Sequence, residues 1–109
     1  MNVRHYILQR ATAALMVPLI ILHLGIIFYA TRRGLSAADI LGRTRGSFVW
    51  GGVYALFVVC AAVHGSIGMA AVAREWLGLK GRAIDVVMWG FGAILLVLGL
   101  RAVAAVVLP

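Results

Sequence analysis

The stretch FVWGGVYALFVVCAAVHGSIGMAAVA, Phe48 to Ala73, holds no Asp, Glu, Lys or Arg. It exceeds the ~20 apolar residues that a helix needs to cross a bilayer. In lipid only helices and closed barrels satisfy their own backbone groups. The run lacks the alternation of a barrel strand, so it reads as a membrane-spanning helix. Working outward, two further apolar runs flank it, and the spans fall at about 11–30, 48–73 and 85–108. The composition agrees: of 109 residues 64% are hydrophobic and 12% charged, with a mean hydropathy of +1.08. A soluble domain of this size cannot hide that much apolar surface. The chain therefore reads as one all-α integral membrane domain of three transmembrane helices.

The net charge of +7 raises the question of nucleic acid. Its placement answers no: the cations sit at helix ends and in the two loops, as is ordinary for membrane spans. Cys60 lies inside the second span, where a lone buried cysteine behaves as a small hydrophobe. Arg4 and Arg10 before an apolar run resemble a signal peptide, but the run is too long and lacks a small-x-small cleavage site. It is read as a retained span, with residues 1 to 10 a short polar lead and Pro18 tolerated inside the helix.

The first loop, Thr31 to Ser47, contains Ser36-Ala37-Ala38-Asp39, the pattern of a capping box. A short surface helix and a plain polar connector are both open there. Tyr29, Trp50 and Tyr54 mark the first-loop side of the membrane, and Tyr6, Trp76 and Trp89 the other. Arg4, Arg10, Arg74, Lys80 and Arg82 on one side nearly balance Arg32, Arg33, Arg43 and Arg45 on the other. Charge alone thus leaves the orientation open.

Chemistry concentrates on few residues. His64 lies roughly 15 Å from the end of its span at Arg74, and His23 roughly 20 Å from Arg10. An imidazole at that depth is a functional-site hypothesis by default. Two of them point first to haem, with Ala61, Gly65 and Gly68 leaving room for a large planar group beside His64. The competing reading is a packing seam with each histidine hydrogen-bonded to a neighbour. Glu75 follows His64 by three turns plus ~20°, on the same face, with Trp76 beside it. The pair reads as a quinone head-group site or as an ordinary interfacial charge and aromatic. Arg10 reads as a propionate or quinone partner or as a snorkelling anchor. Arg101, within the third span, reads as a haem-propionate partner or as a residue snorkelling to the interface. No metal-cysteine cluster, nucleophile triad or phosphate loop is present.

With these residues in view, the chain resembles the membrane-anchor (cytochrome b) subunits of the succinate dehydrogenase and fumarate reductase family. Ile7-Leu8-Gln9-Arg10-Ala11-Thr12-Ala13 is similar to the opening of that family's first helix. His64-Gly65-Ser66-Ile67-Gly68-Met69 is similar to its H-x-x-x-G haem segment, and Arg74-Glu75-Trp76 falls where many relatives carry an Asp-Tyr pair. The resemblance covers most of the chain. It implies haem b on His64, a quinone near Glu75, Trp76 and Arg10, and propionate contacts for Arg10. It also implies flavoprotein and iron-sulfur partners, and a bacterial inner membrane with the N-terminus and second loop cytoplasmic. His23 matches the two-haem members of the family, in which a helix-one histidine serves a distal haem. Three spans supply one axial ligand per haem, so the chain is expected to be half of a haem-binding bundle. A second anchor subunit or a second copy completes it, with one or two haems per pair. The alternative class is a small homo-oligomeric transporter or assembly module using His64 and Glu75 as a proton relay. The lack of an acidic residue deep in a span weighs against it.

Overall fold

The computed structural model describes residues 2–109 and is all-α among them. Helix α1 runs Val3–Arg33, α2 Ala37–Thr44, α3 Phe48–Trp76 and α4 Arg82–Val107. Helices α1, α3 and α4 are each long and apolar enough to cross a membrane. They form a bundle 48 Å long and 23 by 22 Å across. Helix α3 is central, packing on α1 and more extensively on α4.

Of the polar lead expected over residues 1 to 10, residues 3 to 10 are instead the first turns of α1, and Met1 lies outside the described residues. The Asn2 side chain caps the helix by accepting from the His5 N–H at 2.8 Å. With one orphan donor of the first turn satisfied, the helix starts at Val3. Pro18 sits inside α1 without ending it. Gly34 ends it, at φ 64° in the left-handed region where a Cβ is unwelcome. Its successor Leu35 then donates back to Ala30 O at 3.0 Å.

The capping box is formed. Ser36 Oγ accepts from Asp39 N at 3.2 Å, and Asp39 Oδ2 accepts from Ser36 N at 2.9 Å. The loop is thus a short helix, α2, rather than a plain connector. Its far end is tied to the end of α4: buried Thr44 donates its hydroxyl to Val106 O at 2.6 Å, and Gly46 N–H donates to Val107 O at 2.7 Å. These are carbonyls that a helix C-terminus leaves without partners.

The α3–α4 seam is built from small residues. A Cβ on Gly99 would come within 2.5 Å of Val58, and one on Gly92 within 3.0 Å of Ser66 Cβ. Buried Cys60, Ala62, Ile67, Ala70 and Ala73 of α3 and Ile84 of α4 complete the interior. In lipid, apolar burial does not drive helices together, so close backbone approach and van der Waals packing must. The long apolar side chains of α1, among them Leu15, Ile21, Leu24 and Phe28, point outward and are exposed, as lipid contact requires.

Candidate functional site: a histidine seam between α1 and α3

The sheltered face of α1 follows His5, Gln9, Thr12, Met16, Leu19, His23, Ile26 and Ala30, with Ala13 beside Thr12. Steps of four and three alternate along it, the repeat that keeps one helix face against a partner. Four of its positions carry polar side chains, so α1 turns polarity inward and hydrocarbon outward.

Helix α3 runs antiparallel to α1 in a register fixed by contacts. Gln9 faces Gly68, whose added Cβ would lie 3.3 Å from Gln9 Nε2. Thr12 faces His64, with Oγ1 and Nδ1 3.4 Å apart. His23 faces Tyr54 and Phe57, its ring edge-on to both at centroid distances of 6.0 and 5.5 Å. All the sequence's deep histidines thus meet one seam. They do so at different levels: Thr12 and His23 are separated by about 16 Å of helical rise.

Their environments differ. Thr12 is 8% exposed, and its hydroxyl also reaches Leu8 O at 2.7 Å. His64 therefore has one ring nitrogen engaged, while its Nε2 makes no hydrogen bond among the described residues. One nitrogen is thus engaged and the other free of hydrogen bonds, an arrangement that a metal-ligating imidazole shares. His23 has its Nδ1 buried with no hydrogen-bond partner among the described residues, and its ring lies edge-on to two aromatic rings. It borders a groove of about 340 Å³ with Tyr54, Phe57, Val58, Gly99 and Val103 among its walls.

The glycines beside His64 do not clear space for a ligand as the sequence suggested. Gly65 faces α4, where an added Cβ would meet Leu95 at 2.9 Å, and Gly68 faces Gln9. Both are occupied by helix packing.

Because α1 starts at Val3, Arg10 sits two turns inside the helix. In the antiparallel register Glu75 is level with the start of α1, about 12 Å from Arg10 along the axis. Arg10 is closer in depth to His64. It lies off the seam, its guanidinium 5.8 Å from the Tyr6 ring centroid. Helix α3 continues through Glu75 and Trp76, so Glu75 does share the His64 face. Both end residues are exposed, Trp76 by 81%. Arg101 is exposed on α4. The seam thus gathers His64 and His23 and leaves Arg10, Glu75, Trp76 and Arg101 outside it.

Three participants were not singled out from sequence: Thr12, Gln9 and His5. Gln9 has its Oε1 buried and without a hydrogen-bond partner among the described residues. His5 borders a second groove, about 450 Å³, with Ser66 and Trp89. The signal available for all three was the four-three spacing that aligns them with His23. Comparison with protein-family profiles, curated proteins and solved structures finds no match to this chain.

Proposed function

We propose that this chain is the haem b- and quinone-binding membrane anchor of a succinate dehydrogenase or fumarate reductase complex. It carries electrons between the iron-sulfur subunit and membrane quinone. The observation that carries the reading is His64, set deep in a span with Nδ1 engaged by Thr12 and Nε2 in no hydrogen bond among the described residues. Haem held there would supply a one-electron relay, its potential tuned by the ligating imidazole and dry surroundings. His64 would hold the iron as a neutral imidazole.

His23 serves a second level by the same logic. The ~16 Å rise between the levels keeps His23 and His64 from sharing one iron. A second anchor subunit or a second copy supplies the other axial ligand, as one or two haems per pair require. Arg10, nearer in depth to His64 than to Glu75, suits a propionate, and Arg101 suits one on the opposite side. Glu75 and Trp76 supply a carboxylate and an indole to a quinone pocket that a partner closes. The complex sits in the bacterial inner membrane, with the N-terminus and second loop on the cytoplasmic side where the iron-sulfur subunit docks.

A proton relay from His64 to Glu75 is less well supported. The intervening residues on that face, Gly68, Ala71 and Val72, carry no group that can pass a proton. The test of the proposed function is isolation of the tagged chain from native membranes in mild detergent. Covalent flavin or flavoprotein, iron-sulfur protein and reducible haem are expected together. A chain isolated with none of them overturns the reading.

A further inference from the structure

The haem reading leaves open what sets the His64 ring, and the seam supplies an answer. Thr12 has one hydroxyl proton. Its shortest contact is to Leu8 O at 2.7 Å, with Gln9 O at 3.2 Å. Both acceptors are fixed carbonyls of its own helix, a common arrangement for Thr within a span. With the proton committed there, Oγ1 presents a lone pair to α3. His64 Nδ1, 3.4 Å away, must then carry a proton to make a favourable contact. A neutral imidazole protonated on Nδ1 has its lone pair on Nε2. The opposite tautomer would set two lone pairs against each other and bury an N–H in hydrocarbon.

We propose that Thr12 is the positioning residue for His64: it accepts from Nδ1–H, fixes the tautomer and ring angle, and leaves Nε2 to ligate haem iron. This rests on the haem reading above. The bond also makes the imidazole a stronger donor to iron, which favours the ferric state.

The test compares Thr12→Val, which keeps the shape and loses the oxygen, with Thr12→Ser, which keeps the oxygen. Both are made in the whole membrane complex. Haem affinity, the g values of the ferric low-spin haem and the midpoint potential are read alongside thermal unfolding. In Thr12→Val, haem affinity is expected to fall about tenfold or more, the g values to shift and the potential to rise. Thr12→Ser is expected to follow the wild type. Should Val impair assembly, the pair Thr12→Ser and Thr12→Ala differs by the oxygen alone and gives the same comparison. Wild-type affinity, g values and potential in the oxygen-free variant overturn the proposal, as does a Ser variant that behaves like it. A wild-type complex with no haem overturns the haem reading itself, before any Thr12 variant is compared.

Discussion

His23 and His64 face the same seam between α1 and α3, yet they stand about 16 Å apart along it. His64 contacts a threonine, whereas His23 lies edge-on against Tyr54 and Phe57 with Nδ1 unpartnered among the described residues. Neither ring can be the other's axial partner at one iron. The two levels are therefore separable by mutation.

His23→Phe keeps an aromatic ring against Tyr54 and Phe57 and removes a buried nitrogen that lacks a partner. Losing an unsatisfied buried polar atom is neutral or stabilising. Without haem the variant is expected to unfold at or above the wild-type temperature; in the complex it is expected to lose haem at the His23 level and to keep it at the His64 level. Loss of all haem from a folded His23→Phe complex contradicts the two-level arrangement.

The α3–α4 seam makes a sharper stability prediction. An added Cβ at Gly99 meets the branched Val58 at 2.5 Å, whereas one at Gly90 meets nothing within 4 Å. Val is stiff at χ1 and cannot swing aside cheaply. Gly99→Ala is expected to cost about 1–3 kcal/mol, the usual range for overpacking, and Gly90→Ala close to nothing. Reversible unfolding in detergent micelles measures both, and equal stabilities contradict the packing described.

The connector helix carries a pH dependence. The Ser36 backbone N–H, then its hydroxyl, then the Arg43 charge hold the Asp39 carboxyl below its ordinary value. A carboxylate depressed on folding stabilises above its unfolded pKa. That contribution fades as pH falls through the folded pKa. Amide protection in the first turn of α2 should therefore weaken on acidification below the ordinary aspartate range. Ser36→Ala should return the Asp39 titration toward its ordinary value. An unshifted carboxyl in the wild type contradicts the capping geometry.

The fold was legible because span length and the absence of charge are properties of composition along the chain. The Phe48 to Ala73 run needed no tertiary information. The capping box at Ser36 and Asp39 was legible for a similar reason, since both partners lie within one turn. The start of α1 was missed because a single side chain, Asn2, decides it, and the charges of Arg4 and Arg10 suggested a lead. Within the site, depth alone singled out His64 and His23. Thr12 was not singled out because its importance depends on which α1 residue lands opposite His64, a matter of helix register. The glycines misled for the same reason. Gly65 and Gly68 look like clearance for a ligand until α4 and Gln9 are seen to occupy that space.

The most direct measurement is the reduced-minus-oxidised visible spectrum of the purified membrane complex, in the wild type and in His64→Ala. The wild type is expected to give the sharp α band of a bis-histidine haem, and His64→Ala, at equal protein and equal assembly, to lose that band at the His64 level. A wild-type spectrum with no such band, or an undiminished band in assembled His64→Ala, contradicts the assignment of this chain as a haem-binding anchor.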